Sequence, residues 1–328
     1  MTAASMPYGF RVVGSKTGRR RLVDAAAAFA ACCAGDSRAE PDRESYLSAF
    51  TYGDDFRRHL AETGSTKGYS GPCGGPWLWW DIDRENDPEH ALRDARRLMA
   101  FLLDRYPVLD DDDLLAFFSG SKGYHVGLPT FWGPAPSVLF NRAARRFAES
   151  IAAASGVSID AGVYDAVRLF RAPNSRHPKT GLHKRRLTHD ELMALSLDGI
   201  RRLAEQPEPF DLPPVAVTCE QAAADWQAAV TAASQQSEEK ARRAAVADGS
   251  PRLNRATFDF IRDAADQGDR HRLLFSAAAN LAEFACPPAL AHALLTEAAL
   301  DSGLTPADIR RQIDCGLSHI GKGAAAHG

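Results

Sequence analysis

The spacing of apolar positions changes along the chain, and each change marks an element. Ala25 to Ala34 is a run of small apolar residues that predicts a helix within an otherwise polar, Gly-containing stretch of about 70 residues. Gly71 to Pro76 is dense in Gly and Pro and predicts a loop. Trp77-Leu-Trp-Trp-Asp-Ile-Asp83 follows, short and aromatic, as a buried strand. Asp87-Pro88 has the form of a helix start, with Leu92, Ala95, Met99, Leu102 and Tyr106 at helical spacing behind it. Leu114 to Phe118 and Tyr124 to Leu128 read as two strands joined by the tight turn Ser119 to Gly123. An amphipathic helix is predicted from Ser137 to about Ser155, closed by Gly156.

Beyond it, Val157 to Asp160 and Ala166 to Phe170 read as short strands, and 188–206 as helix. The Pro-rich segment Pro207 to Pro214 ends this α+β region, expected over residues 1–212. From 213 to 328 the pattern is helical and Ala-rich, with a polar stretch at 234–252 that reads as a linker or an exposed helix. The expected fold class is α+β: a mixed or antiparallel sheet flanked by helices, then a small all-α domain.

Composition narrows the functional classes. Hydrophobic residues make up 45% and charged residues 25% of the 328 positions, which excludes a disordered or fibrous chain. With 39 basic and 42 acidic residues the net charge is -3, so any nucleic-acid surface must be a local patch. The six cysteines form no CxxC pair and fit neither a zinc ribbon nor a disulfide framework, so no structural zinc is expected. The Ala25–Ala34 run is about half a membrane span, and no secretory h-region opens the chain. A soluble, cytoplasmic protein without a membrane partner is the expectation.

Three groups of residues carry candidate chemistry. Asp81 and Asp83 are two apart on a strand, so their carboxylates share a face. Among Trp79, Trp80 and Ile82 such acids are costly unless a cation offsets them, and a divalent metal with oxygen ligands would do so. The alternative is a strand end facing water. Ser119-Gly-Ser-Lys-Gly-Tyr-His125 frees backbone N–H groups and adds Lys122 and His125, as an anion cradle does. It lacks P-loop spacing, and the plain alternative is a hairpin turn. The segment from Arg168 to Arg186 holds Arg168, Arg171, Arg176, Lys179, Lys184, Arg185 and Arg186 with no acid between. Interleaved Leu169, Phe170 and Pro173 tie it to a core, which favours a polyphosphate or nucleic-acid site over a merely solvated face. Asp160 is a lone acid at a predicted strand end; Asp165 competes with it, its plainer role being a salt bridge to Arg168 or Arg171. The Asp110 to Asp113 run is read as solvated.

In order, these are an acidic pair on a strand, a Ser-Gly turn ending in His, a lone acid, and Leu169-Phe-Arg-Ala-Pro-Asn-Ser-Arg-His-Pro-Lys-Thr-Gly181. This order resembles the catalytic core of archaeo-eukaryotic-type DNA primases, the primase-polymerase superfamily, over roughly residues 75–190. Ser121-Lys122 stands where cellular primases carry a basic pair, zinc-knuckle cysteines are missing, and the Asp160–Val167 loop is short, so Asp165 stays open as the third acid. Residues 257–316 look similar to the helical C-terminal domains of plasmid and phage primases.

The resemblance implies a template-dependent nucleotidyltransferase that makes short primers from nucleoside triphosphates on single-stranded DNA. Asp81, Asp83 and Asp160 would be catalytic and would hold two Mg²⁺ or Mn²⁺ ions. Ser119, Ser121, Lys122, His125, Arg171, His177 and Lys179 would bind the nucleotide. Arg176, Lys184, Arg185 and Arg186 would bind DNA, with a helicase or another replication protein as a further partner and nucleoid association as the expected setting. The rivals are a primer-dependent gap-filling polymerase of the same superfamily, a metal-dependent nuclease, and a non-catalytic DNA-binding module.

Overall fold

The computed structural model describes residues 6–84, 86–214, 218–246, 253–265 and 268–320. The chain divides into two compact units, residues 1–240 and 241–328.

The first unit is α+β with two antiparallel sheets. The N-terminal 70 residues, which offered little pattern, supply most of one sheet. It comprises β1 (Tyr8–Val13), β2 (Arg21–Asp24), β3 (Ser45–Ser48) and β4 (Thr51–Tyr52), with α1 (Ala25–Cys33) and α2 (Asp54–Thr63) between and after them. These strands are short; β1, β2 and β4 are only partly buried, whereas three of the four β3 residues are buried. Asp24 caps α1 by accepting from Ala27 N–H. The two-residue β5 (Cys73–Gly74) pairs with β4, so the Gly/Pro-rich segment is mostly but not wholly loop.

The second sheet holds the aromatic strand β6 (Trp77–Asp83). Asp87 caps α3 (Pro88–Arg105), whose Leu92, Ala95, Leu98, Met99 and Leu102 are buried. The hairpin of β7 (Leu115–Phe118) and β8 (Gly123–Pro129) follows, then α4 (Phe140–Ser155), ended by Gly156 in a left-handed conformation that glycine adopts without strain. β9 (Leu169–Arg171) crosses back to pair with β3 in the first sheet, whereas β10 (Arg185–Leu187) pairs with β7. The second sheet therefore runs β10-β7-β8-β6.

Three expectations change here. Val157 to Asp160 is not a strand but an extended segment leading into a 3-10 turn at Ala161–Tyr164. The strand near 166–170 begins only at Leu169. The 188–206 region is two short helices, α5 (His189–Ala194) and α6 (Leu197–Leu203), because Ser196 caps a new start by accepting from Gly199 N–H.

Helix α7 (Glu220–Val246) begins beyond the Pro-rich segment, and its residues up to Lys240 belong to the first unit. Trp226 is buried against Phe140, Trp132 and Phe147. Asp225 accepts two hydrogen bonds from Arg105, both at 2.7 Å, and one from the Tyr106 hydroxyl. The division between units thus falls near 240 rather than at 212/213. The stretch expected as linker or exposed helix is helical to Val246, and residues 247–252 lie outside the described residues.

The second unit is all-α: α8 (Arg255–Asp263), α9 (Arg270–Glu283), α10 (Pro288–Asp301) and α11 (Pro306–Ile320). Phe260, Leu274, Leu281, Leu295, Ile309 and Ile313 form its own core. Gly316 lets α11 approach α9 closely, since a Cβ there would sit 2.6 Å from Ala278 Cβ. Among the described residues no helix is long and apolar enough to cross a membrane.

Candidate active site

Strand alternation puts Trp77, Trp79, Asp81 and Asp83 on one face of β6. The face is apolar at its start, where Trp79 packs on Phe29, Phe117 and Phe170, and acidic at its end. Leu78, Trp80 and Ile82 point the other way into the core. Antiparallel pairing with β8 sets Asp81 opposite His125 and Asp83 opposite Gly123. Glycine is required at 123, because a Cβ would lie 1.8 Å from Asp83 Oδ1. The acidic pair and the Ser-Gly turn, about 40 residues apart in sequence, are therefore one site.

His125 Nε2 lies 3.4 Å from Asp81 Oδ1, an electrostatic contact too long for a well-formed hydrogen bond. Asp81 Oδ1 and His125 Nδ1 are both buried without a hydrogen-bond partner. Burial, with the nearby Lys184 charge, lowers the His125 imidazole to about 4 against the pull of Asp81, so the ring is neutral at neutral pH. Asp83 behaves oppositely. Burial and the neighbouring Asp81 carboxylate, with Asp160 adding to them, push it up to about 6 against the opposing Lys122 and Lys16 charges. Lys122 Nζ stands 3.9 Å from Asp83 Oδ2.

Asp160 joins from a distant segment. Its N–H donates to Asp81 C=O at 2.8 Å, while its carboxylate accepts from Gly162 N–H and lies 3.7 Å from Arg168. Arg168 thus pairs with Asp160, not with Asp165, which is exposed. Among the described residues no three His, Cys, Asp or Glu side chains converge closely enough to hold a metal ion as they stand. The donor chemistry nonetheless fits a hard divalent cation. Asp81 carries an orphaned buried oxygen, and the Asp83 carboxyl is raised by its crowded acidic neighbours, both of which a cation would relieve.

The turn is built for close approach. Ser119 N–H donates to Gly123 C=O, and Ser119 Oγ accepts from Gly123 N–H. Gly120 is left-handed (φ +86°), and a Cβ on it would lie 3.0 Å from Leu182 O and 3.1 Å from His177 Cβ. Thr180 Oγ1 donates to Gly120 C=O, which locks the turn onto the basic segment. Ser121 is half-buried in the same turn.

In the basic segment, Arg171 stacks on Tyr46 with its guanidinium 5.0 Å from the ring centroid and donates to the Tyr46 hydroxyl. His177 Nδ1 accepts from Lys179 N–H and Thr180 N–H, so it shapes its own loop; burial and Arg171 lower it to about 4. Lys179 and Arg176 are exposed. Asn174, left-handed at φ 60°, donates to the carbonyls of Cys32, Cys33 and Glu208 and accepts from Glu208 N–H. Ser175 donates to Ala172 C=O. Asn174 thereby ties the loop to the end of α1, and Ser175 closes the loop on itself and onto Ser45 of β3.

Three of the four residues expected to bind DNA have other work. Lys184 is 1% exposed; its ammonium donates to Arg171 C=O at 2.9 Å and lies over the rings of Phe170, Phe117 and Trp79. Burial lowers it to about 7. Arg185 is buried and ion-paired with Glu208 (2.6 Å) and Glu191 (3.6 Å). Arg186 is half-buried, stacked on Phe210 and 3.7 Å from Asp112. Only Arg176 offers its charge to solvent. The β9–β10 excursion brings these side chains back under the sheet, which a count of charges along the sequence does not reveal.

Lys16 is the residue that sequence reasoning missed. It stands in the β1–β2 turn, over the Tyr46 ring at 5.5 Å, and its charge acts on Asp83 and His177. The available signal was its turn, Gly14-Ser-Lys-Thr-Gly18, a lysine bracketed by glycines like Lys122. A cavity of about 590 Å³ lies along the apolar half of the β6 face, lined by Trp77, Trp79, Phe10, Phe29 and Phe170 among others, and none of the three acids opens onto it.

The chain matches no protein-family model and no curated protein. Among solved structures it is similar to one described as the crystal structure of primase RepB′, at 13% identity, covering 99% of this chain and 96% of that chain with a TM-score of 0.35.

Proposed function

We propose that the chain is a template-dependent primase-polymerase that joins nucleoside triphosphates into short primers. The observation that carries this reading is the backbone bond that fastens the Asp160 segment to Asp81 on the strand that also bears Asp83, beside the Ser119–His125 turn and within the fields of Lys16, Lys122 and Arg168. Acids grouped around the largely buried Asp81, with Asp83 and Asp160 open to solvent and cations beside them, suit a reaction between a polyanion and a metal-neutralised nucleophile. They add nothing to a simple binding surface.

In this reading Asp81, Asp83 and Asp160 hold Mg²⁺ or Mn²⁺, which when bound supplies Lewis-acid charge neutralisation at phosphoryl oxygens. The chain's own groups do the positioning. Lys122, Arg171 and Lys16 bind and orient the triphosphate, Arg171 held by Tyr46 and by Lys184 beneath its carbonyl. Neutral His125 donates or accepts one hydrogen bond without adding charge. The 3′-hydroxyl oxygen of the growing end forms the new bond to the α-phosphorus as its proton passes to solvent, the bond from the α-phosphorus to the bridging oxygen breaks, and pyrophosphate leaves. Catalysis is then mostly positioning and charge stabilisation, as in other phosphoryl transfers.

The test combines purified protein, an unprimed single-stranded template, Mn²⁺ or Mg²⁺ and labelled nucleoside triphosphates, with Asp81→Ala/Asp83→Ala as control. Short products from the wild type alone support the reading. Extension only of a supplied primer would replace it with the gap-filling polymerase, and cleavage of template without triphosphate would replace it with a nuclease.

A further inference from the structure

The β1–β2 hairpin and α2 enclose a concavity of about 470 Å³ lined by Arg19, Arg20, Arg21, Arg57, Leu60 and Gly64, with two further apolar residues. No acid lines it. Arg57 spends its charge on Asp54 at 2.9 Å. Arg20 donates to Gly18 C=O, and Arg19 and Arg21 make no ion pair among the described residues. Arg21 is moreover the direct cross-strand partner of Arg11. Like charges set opposite one another on a sheet cost stability. Arg11 is compensated by Glu40 and by the carbonyls of Arg38 and Ala39; Arg21 is not. Nothing in the core requires three consecutive arginines here, since Arg19 and Arg21 are exposed. A fold that holds uncompensated guanidinium groups around a cavity is matched to an anion that neutralises them, and the planar guanidinium fork suits phosphate in particular.

The same hairpin bears Lys16, whose ammonium lies 5.5 Å from the centroid of the Tyr46 ring on which Arg171 also stacks. One short turn thus links the arginine concavity to the Arg171 side of the site, which favours a polymer laid along the hairpin over a small anion confined to either end. We infer that this concavity binds the sugar–phosphate backbone of single-stranded nucleic acid, carrying the strand to the acidic site. The identity of the polyanion rests on the nucleotidyl-transfer reading. The surface takes over the role that burial denies to Lys184 and Arg185.

The experiment measures fluorescence anisotropy of a labelled single-stranded oligothymidylate against the full chain over a salt series, for wild type and Arg19→Gln/Arg20→Gln/Arg21→Gln. Each phosphate contact on a single strand contributes about 0.7 to the slope of log affinity against log salt, so the triple variant should lose about 2 from that slope and bind at least about tenfold more weakly at moderate salt. Thermal melts check that the variant is folded; should it not be, Arg19→Gln alone should lose about 0.7. Oligonucleotide binding unchanged in the variants overturns the inference. So does wild-type binding to phosphatidylserine vesicles but not to the oligonucleotide, which would make the ligand a lipid headgroup. Nucleotide incorporation by the wild type is followed in parallel. Arginine-dependent binding without incorporation overturns the catalytic reading and leaves this surface standing, whereas incorporation with arginine-independent binding overturns this surface alone.

Discussion

The backbone N–H of Asp160 donates to the carbonyl oxygen of Asp81 at 2.8 Å, which fastens a lone acid to the strand bearing the acidic pair 79 residues earlier. Asp165, the competing acid, is exposed and its neighbour Arg168 is turned to Asp160. Asp160→Asn should therefore reduce nucleotide incorporation by more than the roughly 10- to 100-fold seen for outer-shell partners of metal sites, matching Asp83→Ala, while Asp165→Asn stays near wild type. Steady-state incorporation rates of the three variants check this, and equal losses at 160 and 165 would refute it.

Asp83 links the site to stability. Its carboxyl sits at about 6, above the roughly 3.9 of an unfolded aspartate, so the folded state holds that proton more tightly. The resulting stability is fully present below about pH 4 and is lost as pH rises through about 6. With 39% of the side chain exposed, screening limits the effect to on the order of 1 kcal/mol. Asp83→Asn should accordingly melt higher than the metal-free wild type at about pH 8 and equally at about pH 4. Added Mn²⁺ should raise the wild type and close the gap, since a ligand bound only by the folded state stabilises it. Melting curves at both pH values, with and without Mn²⁺, give the answer.

Lys184 is buried and holds the Arg171 carbonyl. Lys184→Ala removes a fully buried stem and orphans the Arg171 carbonyl, and should cost about 3 kcal/mol in urea unfolding. Lys184→Met keeps the volume and should cost about 1 kcal/mol. Neither should change the salt slope of single-strand binding. A reduced slope would return Lys184 to the nucleic-acid surface.

Trp226 fastens α7 to the first unit. It is 7% exposed, with ring centroids 5.0 Å from Phe140 and 5.9 Å from Trp132. Trp226→Ala should destabilise the chain by about 3–5 kcal/mol, read from the urea midpoint with an unchanged slope. A chain ended at residue 212 should be less stable than one carrying α7. Indistinguishable midpoints would put the boundary back at the Pro-rich segment.

Much of this protein was legible in its sequence because local rules were enough. Strand Trp77–Asp83, the Asp87 cap, the Ser119–Gly123 turn and the Gly156 stop each announce themselves through short-range sterics and hydrogen bonding, and the structure has them within a residue or two. The same-face relation of Asp81 and Asp83 follows from the pleat alone. What sequence could not supply was long-range. Strands β1 to β4 are short, two to six residues each, so their pattern is weak until the partner strands are known. The strand expected at Val157–Asp160 has apolar residues but no partner with which to form a ladder; only its last residue bonds to β6. Charge counting treated Lys184, Arg185 and Arg186 as one surface with Arg176, although β10 pairing turns Lys184 and Arg185 inward. Sequence by itself determined which residues are chemically able to form the site and which local elements carry them, because those depend on neighbours along the chain. Tertiary structure alone decided that the Asp160 backbone bonds to Asp81, that Lys16 lies over Tyr46 beside Arg171, and that a run of basic residues is largely buried, because burial and through-space contact depend on which distant segments the sheets bring together.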